Sequence, residues 1–397
     1  MNDSKILWII SELFPPEETS TGYIMGEIAN AMTEKYVVKV ICGPEVYDEK
    51  KKGVRKASLT IDDRIKLYRV GTVKENKTNK LSRIKKFLIM SWRLYRVAQK
   101  QIKQGDNVLM VSNPFPLIVL MGQLRKHREF CMTMLVHDIY PEGLYTDMNI
   151  PQWAYRVALR IFNNSYSKAD RLISLGRDMN EVLEKKCLKA KRKPSIETIE
   201  NWGEVEGIKP VNREQDGFIK IQYAGNIGNA QGVGEMVEYL HEAGNECVIF
   251  NIWGTGSAEE SIKNRVREMN MDNRVRFNGP YSRSQQQEVL NDSDLSLVTL
   301  VKGMYGLGVP SKTYNILAAG KPILYIGEKN TEIWQTVEEN NIGYCFEPDD
   351  KNCIVSFIKQ LGIKDMPILR EMGLKARDLA VSKYSKGAIL KRFVEIV

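Results

Sequence analysis

The chain has 397 residues, 43% of them hydrophobic and 27% charged, with a formal net charge of +9. That length suggests two domains at about 150 residues each, and the composition excludes disordered, collagen-like and fibrous classes. Six cysteines without a C-x-x-C pair exclude a disulfide framework and a cysteine metal cluster, and read as reduced thiols.

In chain order, the apolar run at 6–10 meets Glu12 and Pro15-Pro16 at once, so it reads as a first strand and not a signal peptide, which points to a cytoplasmic protein. Thr21-Gly22-Tyr23 opens a helix to about 33, and the β-branched run at 37–42 is the second strand. Strands at 108–112, 132–136 and 171–174 alternate with helices at 117–126, 152–165 and 176–186. The stretch 108–122 is too broken by prolines to cross a membrane. Residues 200–217 are polar and rich in Gly and Pro, as an interdomain connection would be. Alternation then restarts, with strands at 219–223, 248–253, 275–277 and 295–300 and helices at 232–243, 259–269 and 284–291 between them; 368–397 reads as closing helices. Such alternation predicts an α/β protein of two doubly wound parallel sheets in tandem.

Charge is uneven. Residues 1–200 hold 35 Lys and Arg against 23 Asp and Glu, a net of +12, which leaves −3 for the remainder. Residues 74–103 alone carry ten basic residues and one acid, Glu75, interleaved with Leu81, Phe87, Leu88, Trp92 and Tyr95. This basic amphipathic helix suits either an anionic membrane surface or the outside of an α/β sheet, and no nucleic-acid recognition motif accompanies it.

The organising stretch is 306–322, Gly-Leu-Gly-Val-Pro-Ser-Lys-Thr-Tyr-Asn-Ile-Leu-Ala-Ala-Gly-Lys-Pro. Its glycines and Pro310 lead into a short helix with Ser311 as the expected N-cap, and Lys312 adds a cation in the first turn. A glycine-rich loop feeding a helix N-terminus suits a diphosphate, or simply close packing. Gly225-Asn226-Ile227-Gly228 and Gly254-Thr255-Gly256 follow strands in the same domain and carry the same two readings. His137-Asp138 stands at a strand end in a chain with three histidines, which suits catalysis, sugar binding or a satisfied loop histidine. Asp292-Ser293-Asp294 spells a metal-binding D-x-D, but it precedes a strand instead of following one, so capping and turn chemistry is the expected use. No metal site is expected.

The runs 223–232 (Tyr-Ala-Gly-Asn-Ile-Gly-Asn-Ala-Gln-Gly), 253–256 (Trp-Gly-Thr-Gly), 275–281 (Val-Arg-Phe-Asn-Gly-Pro-Tyr) and 309–322 together resemble the GT-B glycosyltransferases, in the large retaining family that includes bacterial O-antigen and capsule sugar transferases. The resemblance implies two Rossmann-like domains facing across a cleft: an acceptor-binding domain at 1–203, a nucleotide-sugar domain at 204–375, and a helix at 376–397 returning to the first. It implies a UDP-sugar donor, an N-acetylamino or deoxy hexose, held by Gly225, Asn226, Gln231, Trp253, Gly254, Gly279, Pro280, Tyr281, Gly308, Val309, Pro310, Ser311 and Asn315. His137 and Lys312 take the catalytic positions, and Thr21, Gly22, Tyr23 and Asp138 the acceptor side. The acceptor would be a saccharide or a polyprenyl-diphosphate-linked saccharide at the inner face of the cell membrane, with no cofactor. The family's two glutamates fall at 307 and 315, where this chain has Leu307 and Asn315. A UDP-sugar 2-epimerase on the same fold, or a non-catalytic partner subunit, are the alternatives.

Overall fold

A computed structural model describes residues 5–17, 19–45, 59–73, 80–147 and 151–397. The chain divides into two compact units. One comprises Met1–Glu200 with Gly306–Gly308 and Leu390–Val397; the other comprises Asn201–Tyr305 and Val309–Ile389.

The first unit runs β1 (Ile6–Ser11), α1 (Ser20–Met32), β2 (Val37–Cys42), β3 (Lys66–Arg69), α2 (Lys80–Gln101), β4 (Asn107–Val111), α3 (Pro116–His127), β5 (Cys131–Leu135), α4 (Glu142–Asp147), α5 (Gln152–Tyr166), β6 (Arg171–Ser174), α6 (Arg177–Cys187) and β7 (Ser195–Thr198). Its sheet has the order β3-β2-β1-β4-β5-β6-β7, all parallel. Helices cover both faces of such a sheet, so the central strands are continuously apolar: β1 reads Ile-Leu-Trp-Ile-Ile, with residues 7–11 all buried. Trp8 satisfies its buried indole by donating to the Asp106 carboxylate at 2.9 Å.

The second unit runs β8 (Ile219–Ala224), α7 (Val233–Ala243), β9 (Val248–Trp253), α8 (Glu259–Glu268), β10 (Val275–Gly279), α9 (Gln286–Asn291), β11 (Leu295–Thr299), α10 (Lys312–Ala318), β12 (Ile323–Ile326), α11 (Glu332–Asn340), β13 (Gly343–Phe346), α12 (Lys351–Gln360) and α13 (Met366–Ser382), in a parallel sheet ordered β10-β9-β8-β11-β12-β13. Ile221, Val237 and Ile358 belong to the core on one face; Val298, Leu317 and Ala376 belong to the core on the other. The last helix, α14 (Lys386–Ile396), ends inside the first unit, where Arg392 bonds the Glu200 carboxylate at 2.6 Å and the Tyr36 hydroxyl bonds the Val397 carbonyl at 2.9 Å.

Both doubly wound sheets expected from the sequence are present. The edge strands β3 and β7 were not anticipated: both are four residues long and half exposed, so neither shows an apolar run. The helices and strand of 332–360 also escaped the sequence reading. Among the described residues no helix is long and apolar enough to cross a membrane.

Candidate functional site

In a doubly wound sheet, the loops on either side of the point where strand order reverses splay apart and leave a crevice at the strands' carboxyl ends. In the second unit that point lies between β8 and β11. The loop after β8 carries Gly225 to Gln231, and the loop after β11 leads through Val309, Pro310 and Ser311 into Lys312.

Lys312 is the unusual residue there. Its Nζ is sealed from water, has no hydrogen-bond partner, and lies 3.4 Å from the centre of the Tyr223 ring. Burial draws the ammonium down from 10.5 to about 7. A β-carbon at Gly225 would stand in ordinary contact with Nζ, at 3.5 Å, so the turn takes glycine for its φ of +153° and not to admit the lysine. The ring is itself fixed, as Tyr223 is buried and its hydroxyl donates to the Asn226 carbonyl at 2.6 Å. A lone buried cation costs free energy that an anion would recover.

The helix contributes less than its sequence suggests. It has seven residues, Ser311 makes no side-chain cap, and the Thr313 N–H is already bonded to the Pro310 carbonyl at 3.1 Å. The positive character of this spot therefore resides in the lysine.

The glycine turns also change meaning. Gly225 N–H donates to the Trp253 carbonyl, Ile227 N–H to Thr255, and Gly254 N–H to Gly279, at 2.8 to 3.0 Å. Those amides extend the sheet ladder past its strands and are spent. A β-carbon on Gly254 would lie 1.8 Å from the Gly225 carbonyl oxygen, and one on Gly256 would lie 2.1 Å from that of Ile227. The glycines let the three loops stack backbone on backbone. Asn226 and Gln231 cover Gly228, where a β-carbon would meet the Gln231 Oε1 at 2.4 Å. Trp253, Tyr281 and Val309 pack on one cluster, with Trp253 and Tyr281 edge to face and the Trp253 indole N–H buried without a partner. Pro280 is exposed beside Tyr281.

Asn315 is committed on one side: its Oδ1 accepts the Glu204 N–H at 2.9 Å. The expected bond to a ribose hydroxyl is left to the amide NH2, a donor where the family's glutamate is an acceptor. The D-x-D carboxylates are bound by cations, Asp292 to Lys220 at 2.9 Å and Asp294 to Arg213 at 2.6 Å, and Ser293 bonds the Leu290 carbonyl. Among the described residues no group of three His, Cys, Asp or Glu is placed to hold a metal.

In the first unit the strand order reverses between β1 and β4. Ser112 and Asn113, just after β4, organise the loop that leaves β5: the Ser112 hydroxyl accepts the N–H groups of His137 and Asp138 at 3.1 and 3.2 Å, and the Asn113 amide donates to Asp138 Oδ2 at 3.0 Å while accepting from the Tyr140 hydroxyl at 2.8 Å. Burial alone pulls the His137 imidazole down to about 4, and its Nε2 is buried without a partner. Burial raises the Asp138 carboxyl to about 6 against the pull of Asn113. His137, held neutral by burial, beside a carboxyl raised to about 6 makes the end of β5 polar but weakly charged. Ser112 and Asn113 were missed as site residues, although their place after a central strand was a usable signal.

Gly308, expected on the donor side, packs with this group. It forms a bridge with Asp138, and the neighbouring Leu307 carbonyl accepts the Ile139 N–H at 3.0 Å. Leu307 itself is buried. A carboxylate in that setting would have to be desolvated. Thr21, Gly22 and Tyr23 form the first turn of α1, where Thr19 caps the Gly22 N–H at 3.0 Å and a β-carbon on Gly22 would meet the Glu17 carbonyl at 2.8 Å. Gly22 thus serves packing; Thr21 and Tyr23 are partly exposed. Of the basic stretch expected at 74–103, Lys74, Glu75 and Lys77 lie outside the described residues; on α2, Met90, Leu94 and Ala98 face the core while Leu88 and Trp92 face outward.

Comparison with known proteins adds relatives to this geometry. No protein-family model matches the chain. Probable glycosyltransferase WbjE of Pseudomonas aeruginosa is 30% identical over 402 residues, covering 98% of this chain and 97% of WbjE. A putative colanic acid biosynthesis glycosyl transferase of Escherichia coli K12, WcaI, is 29% identical over 175 residues, 44% of this chain and 42% of its own. Among solved structures, Anabaena Alr3699/HepE in complex with UDP superposes with a TM-score of 0.68 at 13% identity, covering 98% of both chains.

Proposed function

The chain belongs to the glycosyltransferases of GT-B fold, and from that premise we propose that it moves a sugar from a UDP-sugar to a lipid-linked or saccharide acceptor, with retention, in surface-polysaccharide synthesis. The observation that carries this reading is Lys312: a buried, unpartnered cation at the switch point of the second sheet, framed by the Gly225 turn and the Tyr223 ring. The UDP complex of a protein with this fold and the colanic acid assignment of WcaI support the donor and the pathway class.

The leaving group in such a transfer is a nucleoside diphosphate, so the chain's task is to stabilise negative charge growing on the β-phosphate as the sugar–oxygen bond breaks. Lys312 is assigned that task, and as an anion arrives its pKa rises, so a site half neutral at pH 7 becomes fully charged on loading. With Asp292 and Asp294 already held by Lys220 and Arg213, no carboxylate pair is left at the D-x-D to share it through a metal. Trp253 offers its indole N–H, and Tyr281 a face for the base. His137 stays neutral and so acts by hydrogen bonding to a sugar oxygen rather than as a charge; Asp138 is assigned to the acceptor. Attack by the acceptor hydroxyl on the face from which the diphosphate departs, with its proton passing to the departing phosphate oxygen as the sugar–oxygen bond breaks, gives retention without a covalent intermediate. The basic helix α2 holds the enzyme at an anionic membrane.

The test is calorimetric titration with UDP and then a panel of UDP-sugars on the wild type and Lys312→Met, followed by product analysis with and without acceptor. Binding that discriminates among sugars and is lost in the variant is expected. Failure of every uridine nucleotide to bind would overturn the donor assignment. Conversion of a UDP-sugar into another sugar nucleotide without acceptor would replace transfer by epimerisation.

A further inference from the structure

The second unit holds a cavity at the opposite end of its sheet from Lys312. Lys312 follows the carboxyl end of β11, whereas this cavity of about 250 Å³ lies beside Ser293 and Asp294, which precede β11, and Pro322, which precedes β12. One wall is α13, through Leu369, Arg370, Leu374 and Arg377; the other is the stretch around Pro210 and Arg213 with the turn Gly320-Lys321. The two walls meet backbone on backbone, since a β-carbon on Gly373 would stand 2.3 Å from the Gly320 carbonyl oxygen.

Four cations line this space, Arg213, Lys321, Arg370 and Arg377, against one carboxylate, Asp294 of the D-x-D. That carboxylate is spent: it accepts from Arg213 at 2.6 Å and from the Lys220 N–H at 2.9 Å. Arg213 is matched by Asp294 and Asp216, yet its Nε is buried without a partner in a side chain 7% exposed. The other three cations pair with no carboxylate among the described residues. Lys321, also 7% exposed, gives two of its three N–H bonds to the Val211 and Asn291 carbonyls at 3.0 and 3.2 Å, and burial draws it from 10.5 to about 8. Arg377 bonds the carbonyls of Val205, Ile208 and Ala318 at 2.6 to 2.9 Å. Arg370 is exposed and engaged by nothing among the described residues.

Carbonyl oxygens satisfy these donors without neutralising their charge, and neutral donors would hold the same carbonyls at less desolvation cost. Even with Asp216 counted, the cavity keeps an excess of two positive charges (4−2). Guanidinium and ammonium groups together suit a phosphate, and Leu369, Leu374 and Pro322 add apolar wall for whatever the phosphate carries. The volume is below the roughly 300 to 1,000 Å³ of sites for drug-sized ligands, which excludes a nucleotide sugar by size.

We propose that this cavity is a second ligand site, separate from the donor site, that takes a small phosphate monoester, with the phosphate among Arg213, Lys321 and Arg370 and the ester body against Leu369 and Leu374. The site stands whether or not the donor assignment holds.

The experiment is calorimetric titration of the full chain with inorganic phosphate and with phenyl phosphate, in buffer free of other phosphate and of sulfate. Lys312→Met is the parent, because it removes the cation of the donor site and leaves only binding elsewhere. Arg370→Glu and Lys321→Met are each added to it. Arg370 is exposed and unengaged, so its reversal tests charge without touching the fold, and unchanged thermal unfolding confirms this. The parent is expected to bind one phenyl phosphate per chain, at least roughly threefold more tightly than inorganic phosphate because the ring leaves water. Both added substitutions should weaken that binding by roughly tenfold or more. Failure of the parent to bind either compound overturns the site. Unchanged binding in Arg370→Glu also overturns it, whatever Lys321→Met does. Equal affinity for the two compounds overturns the ester and leaves free phosphate as the ligand.

Discussion

Replacing Lys312 by methionine should make the protein more stable and worse at its task. Methionine keeps the length of the stem and removes the charge. Drawing a lysine down from 10.5 to about 7 sets about 5 kcal/mol against the charged form, of which about 4 kcal/mol acts at pH 7, where the buried amine is half protonated. The Tyr223 ring beneath the ammonium returns about 2 kcal/mol. The net gain for Lys312→Met is then about 2 kcal/mol, or roughly 4 to 8 °C in Tm for a unit of this size. Sign follows from proton counting. Between about pH 7 and 10.5 the unfolded chain binds a proton that the folded chain has lost, so wild-type stability rises with pH across that window, by up to about 1.4 kcal/mol per unit. The variant should lack this contribution. Differential scanning calorimetry of both proteins at pH 7, 8 and 9 measures it, beside titration with UDP, for which the variant should lose about a hundredfold in affinity. A Tm that falls in the methionine variant at pH 7 would refute the reasoning, because it would make Lys312 a structural residue rather than a cation held in reserve.

Nucleotide binding by the wild type should take up protons between pH 7 and 9 and weaken with rising pH by up to about tenfold per unit, which calorimetry in buffers of different ionisation enthalpy detects and Lys312→Met abolishes. Leu307→Glu, which restores the family's residue, should not restore a family function; it buries a carboxylate and should cost about 3 kcal/mol in urea unfolding. Gly254→Ala should fail to accumulate as folded protein, since its new carbon would stand 1.8 Å from a backbone oxygen at a φ of +124°; Gly244→Ala, at a φ of +61° with nothing within 4 Å, should cost only about 1 kcal/mol and is the control. In the first unit, His137 and Asp138 oppose each other. Lowering pH from about 6.5 to 4 charges the unfolded histidine first and destabilises the fold, while protonation of Asp138 from about 6 down to 3.8 stabilises it. Stability of the wild type should therefore be nearly flat across that range, and Asp138→Asn should expose a loss of about 3 kcal/mol on acidification.

The parts of this molecule legible in its sequence are those that one short stretch determines. Residues 6–10 form a buried strand in any setting because they are all apolar, and Gly320 ends α10 at a φ of +63° because a left-handed cap favours glycine. Lys312 was legible as a cation in a glycine-rich loop. What was hidden depends on a partner far along the chain. The 3.4 Å approach to Tyr223, which turns a surface-type lysine into a buried one, joins residues 89 positions apart. The commitment of Asn315 to Glu204 and of the Gly225 and Gly254 amides to other loops likewise has no local signature. The exposure of Trp153, Val157 and Ile161 on α5 was overlooked for the opposite reason. Their spacing is that of a core stripe, and only the burial of Phe162 and Tyr166 shows that the core stripe lies on the other side.

The same distinction explains the departures from the family pattern. A charged residue at 307 would serve a donor only if it could reach one, and the backbone of Leu307 is instead held by Ile139, with its side chain buried. Asn315 keeps the hydrogen-bonding capacity of the lost glutamate but not its charge. A carboxylate near Lys312 would raise its pKa, pair with it and compete with an incoming diphosphate. Lys312 has no such partner and is drawn down by burial, and on the proposed donor assignment the incoming diphosphate is the anion that charges it. On that assignment the cost of the uncompensated cation contributes to diphosphate affinity, which ties the stability gain expected of Lys312→Met to the affinity it should lose.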